Sequence, residues 1–152
     1  MTTPQITGLF AQHAFLQPLG ERLLMVLASG ATPFTAAVDA VLAREGEAAR
    51  YFYLIQSGRV AISIHTSKRG DVPIQTVGAG EVLGWSWLAP PYLWQFDCKV
   101  VEAVQGIKLD AEWLREKCEQ DHELGYHLLR QLLTVLATRL ESTRRQLLDL
   151  YH

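Results

Sequence analysis

At 152 residues, with 49% apolar and 20% charged residues, the chain is long enough to bury one core and too apolar for a disordered segment. A formal net charge of −2 excludes the basic excess with which nucleic-acid-binding domains neutralise phosphates. No window approaches the roughly 18 apolar residues of a membrane span, and no charged segment leads into an apolar run at the N-terminus, so the expected location is cytoplasmic and membrane contact is not expected.

The elements follow in chain order. Glu21 to Ala28 spaces its apolar residues as a helix does and stops at Ser29-Gly30, a breaker pair. From Val38 the texture changes to short runs rich in Val, Ile, Phe and Tyr, punctuated by glycines at 46, 58, 70, 78, 80 and 84. VDAVLAR, YFYLIQ, RVAISIHT, VPIQTV and CKVVEAVQGIKL each have strand length, and Val60, Ile62 and Ile64 alternate with Ala61, Ser63 and His65. Such a series of short strands predicts a mainly β fold, a sandwich or a jelly-roll barrel over about residues 30–110, with a short helix before it. After Asp110 the pattern is helical: AEWLREKC, a break near Gln120, then a long helix that Asp121 can cap, so that helices occupy about residues 111–150 of a single domain. Leu129, Leu133, Leu136, Leu140, Thr143, Leu147 and Leu150 step by fours and threes along it, the a/d seam of a coiled coil. A homodimer through this C-terminal helix is the expected assembly, because an unbroken 3.5-residue repeat exceeds what one-sided packing requires. Arg139, Arg144 and Arg145 form a solvated face of that helix.

Enzymatic chemistry finds no purchase: GxSxG, a P-loop and paired metal-ligand spacings are all missing. The histidines at 13, 65, 122, 127 and 152 assemble no HExxH, so no metal is assigned. Cys98 and Cys118 form no CxxC and read as buried free thiols.

GEAARYFYLIQSG, residues 46–58, resembles the signature of the cyclic nucleotide-binding domain found in catabolite activator and Fnr-type regulators. Gly46 permits a tight turn, Phe52 to Ile55 fill a barrel interior, and Gly58 is expected to open the next hairpin. VGAGEVLGW, residues 77–85, is similar to the family's phosphate-binding cassette, and the leucine seam to its dimerisation helix. The resemblance covers about Leu9 to Leu150 and implies a double-stranded β-helix barrel. It also implies that the backbone N–H groups of Gly80 and the next few residues cradle a cyclic phosphate while Glu81 accepts a ribose hydroxyl. A cyclic nucleotide is thus the ligand implied by family resemblance, with Gly80, Glu81, Val82, Leu83, Trp85, Phe96, Asp97 and Thr143 as its candidate pocket.

The arginine and hydroxyl that the family places on the next strand fall on Phe96 and Asp97. One charge pair at about 4 Å is worth roughly 4 kcal/mol at an effective dielectric near 20, on the order of a thousandfold in affinity. Lys99 shares strand parity with Asp97 and points away from Phe96. Trp85, Trp87, Tyr92 and Trp94 crowd around Pro90-Pro91, either filling the space a nucleotide would occupy or lining a site for another ligand. The expectation is a non-enzymatic regulator with an atypical cassette that does not bind cAMP in the family's usual way. Two alternatives stay open: a closed-pocket module acting through a partner protein, or a cyclic nucleotide sensor with non-standard contacts. Relatives of this class carry a helix-turn-helix domain after the dimer helix; the chain stops at His152, so direct DNA binding is not expected.

Overall fold

A computed structural model describes residues 2–151. Its elements are α1 (Thr3–Gln12), a 3-10 turn (Ala14–Leu16), α2 (Glu21–Ser29), β1 (Ala31–Ala36), β2 (Val41–Ala43), β3 (Tyr51–Thr66), β4 (Gly70–Val77), β5 (Val82–Leu83), β6 (Asp97–Asp110), α3 (Ala111–Gln120) and α4 (His122–Asp149). They form two compact units, residues 1–116 and 117–152.

In the first unit, six antiparallel strands make one sheet in the order β1-β6-β3-β4, with β2 on β6 and β5 on β3. It is the β-roll expected from the sequence. Its spine is the pair β3 and β6, whose register runs from Tyr51 opposite Asp110 to Ser63 opposite Asp97. YFYLIQ and RVAISIHT, read as separate strands, are one 16-residue strand. Gly58 therefore opens no hairpin: it sits at φ +90° inside β3, where the β3–β6 register shifts three times between Ile55 and Val60. This is a bulge, a place where only a residue tolerant of positive φ lets a long strand bend without ending. Gly46 does lie in a turn, at φ +86°.

Phe52, Tyr53, Leu54 and Ile55 are all buried, so this run is covered on both faces. Val60 and Ile62 are buried as the alternation predicts, but Ile64 is exposed near the β3–β4 end. The helix read over Glu21 to Ala28 is α2; a further helix absent from the sequence reading, α1, precedes it and the 3-10 turn, and Thr2 caps α1 by a reciprocal capping box with Gln5. On the sheet side, Gly30 lies directly beneath the Trp113 ring, where a Cβ has no room.

In the second unit Asp121 caps α4 by accepting from the Leu124 backbone N–H at 3.2 Å. Leu124, Leu128 and Leu132 are buried. Leu129, Leu133, Leu140, Leu147 and Leu150 of the seam are each more than half exposed in the single chain. Thr143 is also exposed, and its hydroxyl donates to the Arg139 carbonyl at 2.9 Å, a bond within the helix. Of the two thiols Cys98 is buried, while Cys118 is only half-buried and its pKa is pushed up to about 11, first by burial.

Candidate functional site

Gly80 and Glu81 form the turn that feeds β5 into the sheet. Gly80, at φ +81°, donates its N–H to the Ile55 carbonyl at 3.0 Å, and the Ile55 N–H donates to the Glu81 carbonyl at 3.0 Å. The Glu81 N–H goes to the Gly78 carbonyl, and the Glu81 carboxylate turns back to accept from the Gly78 N–H at 3.0 Å. The backbone hydrogens assigned to a phosphate are thus consumed at Gly80 and Glu81 by the fold itself. A donor already paired inside the protein must break that bond to receive an anion, so these two N–H groups are not free donors in this turn. Val82 and Leu83 are buried in β5, opposite Leu54 and Tyr53.

The chain after β5 turns again at Gly84, φ +92°, where an added Cβ would lie 2.7 Å from the Trp94 ring. Trp85 to Leu88 then make a turn closed by the Leu88 N–H on the Trp85 carbonyl at 3.1 Å. Three rings of this segment are in the core: Trp87 at 0% exposure, Trp94 at 4% and Phe96 at 4%. Phe96 packs against Trp85 (5.4 Å between centroids) and Trp94 (5.8 Å), Trp94 reaches Tyr53, and Trp87 lies on Phe52 at 5.3 Å. Rings at these separations and tilts carry stabilisation beyond the area they bury.

Phe96 and Asp97 point opposite ways. Phe96, Cys98 and Val100 are buried on one face, while Lys99 is exposed on the other and pairs with Asp39 at 3.5 Å. Asp97 shares the Lys99 face, and its Oδ1 accepts from the Glu45 N–H at 2.8 Å. The Asp97 carboxylate is thereby committed to the loop after β2.

A cation does reach this segment, from a residue that sequence reasoning missed. Arg115 of α3 donates to the Trp87 carbonyl at 2.7 Å and lays its guanidinium 4.1 Å over the Tyr92 ring. No local motif announces it, because the contact joins residues 28 apart. Two buried donors of the same turn, Ser86 Oγ and Trp87 Nε1, have no hydrogen-bond partner among the described residues. Three concavities flank these elements: one of about 360 Å³ bounded by Arg44, Arg50, Tyr53 and Trp94, one of about 370 Å³ bounded by Arg50, Tyr92 and Arg115, and one of about 590 Å³ bounded by His13, Gln56 and Gly80. Phe96 lines none of the three.

With the β-roll and this segment in view, the comparisons agree. The profile of the cyclic nucleotide-binding domain matches residues 34–121, and the chain belongs to that family. The fold is similar to a cyclic nucleotide-binding domain from Methylobacillus flagellatus KT (21% identity, TM-score 0.80, covering 97% of this chain and 83% of the other). It is similar as well to the sensor domain of the transcriptional regulator DNR from Pseudomonas aeruginosa (19% identity, TM-score 0.72, covering 91% and 93%). A third likeness is the regulatory subunit of a cAMP-independent protein kinase A from Trypanosoma cruzi bound to guanosine (16% identity, TM-score 0.68, covering 89% of this chain and 50% of the other). No curated protein matches the sequence.

Proposed function

We propose that this chain is a regulatory module of the cyclic nucleotide-binding family whose cassette is organised by its own side chains and not by a cyclic phosphate. Phe96 carries the reading: a buried phenyl ring, wedged between Trp85 and Trp94, stands where the family resemblance expects the phosphate-pairing arginine. Loss of a buried cation removes the strongest attraction for an anion, and the ring occupies the volume in its place. Arg115 supports the same reading, since its guanidinium is spent on the Trp87 carbonyl and the Tyr92 face. The module signals through protein contacts, first of all a homodimer along the exposed leucines of α4. We assign it no enzymatic activity and place it in the cytoplasm.

The pair of unpartnered donors, Ser86 Oγ and Trp87 Nε1, favours a second reading, a ligand that offers acceptors without an anionic charge. The Trypanosoma cruzi protein, bound to guanosine, is a precedent for such a ligand on this fold.

Calorimetry separates these readings. The purified protein is titrated with cAMP, cGMP, cyclic dinucleotides and guanosine, beside a Phe96→Arg variant. No heat from any cyclic nucleotide is expected with the wild type, and micromolar cAMP binding by it would overturn the proposal; heat from guanosine alone would select the second reading.

A further inference from the structure

His13 sits between the N-terminal helices and the Gly80 turn, with both ring nitrogens engaged. Nδ1 accepts from the Phe15 N–H at 3.3 Å, and this bond caps the 3-10 turn. Nε2 meets the Ile55 carbonyl at 3.0 Å. Since Nδ1 faces a donor and Nε2 an acceptor, the neutral ring carries its proton on Nε2. The Ile55 carbonyl also receives the Gly80 N–H, and the Ile55 N–H holds the Glu81 carbonyl. One peptide of β3 thus fastens both the imidazole and the turn.

We propose that protonation of His13 is a pH-sensitive release that loosens the Gly80–Glu81 turn. A second proton must go to Nδ1, which faces the Phe15 N–H, so the cap becomes a clash of two donors and the ring must leave its place. An exit adjoins it, the concavity of about 590 Å³ bounded by Gln12, Gln56, Ser57 and Gln105, where amide oxygens and water can receive an imidazolium. Once the ring leaves, the 3-10 turn loses its cap, and with it the placement of Ala14, whose side chain lies 3.6 Å from the Cβ position of Gly80 and covers the turn.

Among the described residues that line this concavity, none besides His13 is ionisable. α1 and the 3-10 turn present Leu9, Gln12 and Ala14 to the concavity, β3 presents Gln56 and Ser57, β6 presents Gln105, and the turn presents Ala79 and Gly80. The acid of the turn, Glu81, is directed to the Gly78 N–H, and the nearby β3–β6 ion pair Arg59–Glu102 is satisfied at 2.9 Å with both side chains exposed. Burial holds the His13 pKa below its ordinary 6.5, the Ile55 bond opposing it more weakly. The unfolded chain therefore takes up the proton first, so the stabilisation is complete above pH 6.5 and is lost as the pH falls toward the folded value.

Amide exchange read by NMR, alongside the His13 ring resonances, tests the coupling in the whole chain from about pH 7.5 to about pH 5. As His13 titrates, the protection factors of Gly80 and Ile55 are expected to fall about tenfold while Leu109 in β6 stays protected. The His13→Gln variant, which keeps a donor for Ile55, is expected to hold Gly80 protection constant over the same range. Titration of His13 with Gly80 protection unchanged overturns the proposal, as does a parallel loss at Leu109, which would mean plain acid unfolding. Should His13→Gln fail to fold, the ring resonances and exchange of the wild type alone decide the matter.

Discussion

The Asp97 carboxylate accepts the Glu45 backbone N–H at 2.8 Å, from the strand face opposite to Phe96. Phe96 and Asp97, on which the family resemblance sets an arginine and a hydroxyl, are thus divided between two tasks, a core ring and a loop anchor. Asp97→Ser, with its shorter arm, is expected to lose the anchor and about 1 kcal/mol of stability in urea unfolding, while Asp97→Asn keeps an acceptor and most of the stability. Equal midpoints for Asp97→Ser and wild type would show that the bond contributes nothing. It follows that Phe96→Arg alone is the cleaner probe of phosphate binding, since adding Asp97→Ser would confound affinity with loop stability.

Arg115 joins α3 to the cassette turn through the Trp87 carbonyl and the Tyr92 ring. Arg115→Met keeps the apolar stem but leaves that carbonyl without its charged donor, which costs about 1–3 kcal/mol where water cannot replace it. The expected signature is a red shift of tryptophan emission as Trp87, fully buried in the native chain, gains water. Arg115→Lys should fall between the two, because an ammonium cannot stack on the ring and reach the carbonyl with one planar group. Emission and stability identical to wild type in Arg115→Met would show that Arg115 does not hold the cassette turn in place.

Periodicity made the sheet legible and left the long strands hidden. Val60 and Ile62 alternate as a half-buried strand must, and the leucine steps mark α4 directly. Gly58 misled because a glycine between two strand runs reads equally as a hairpin turn or a bulge, and only the pairing of β3 with β6 on both sides of it distinguishes them. The Thr2/Gln5 capping box was a local signal for α1 that the low apolar periodicity of TPQITGLFAQ obscured. In the candidate site, the opposite faces of Phe96 and Lys99 follow from strand parity alone. By contrast, the commitments of Gly80 to Ile55, Asp97 to Glu45 and Arg115 to Trp87 are contacts between distant segments, and residue types carry no record of them.

Gly58 and Gly46 make a matched test of the bulge. Both have positive φ, at +90° and +86°, yet an added Cβ at Gly46 meets nothing within 4 Å whereas at Gly58 it collides with the Ala103 carbonyl. Gly46→Ala is expected to cost about 1–2 kcal/mol, the conformational term alone. Gly58→Ala should cost more by about 1–3 kcal/mol, because backbone of β6 has to shift. Denaturation midpoints measured side by side check this, and equal losses would show that β6 yields freely at Ala103.

Five seam leucines, four in α4 and Leu150 at its C-cap, are more than half exposed in one copy of the chain. Each Leu side chain fully buried by a partner contributes about 1.5–3 kcal/mol before association entropy is subtracted, so a seam of this length can sustain a dimer. Thr143 interrupts the apolar series with a hydroxyl already bonded to the Arg139 carbonyl, which lets it enter a dimer seam without an unpaired donor. Equilibrium sedimentation is expected to give twice the 17.1 kDa chain mass for wild type. The Leu136→Asp/Leu140→Asp variant should sediment as a monomer, since it brings four carboxylates, two from each copy, into an apolar seam without partners. Its far-ultraviolet circular dichroism should retain the signal of the sheet, and a wild type that is monomeric at every concentration would end the argument for self-association through this helix.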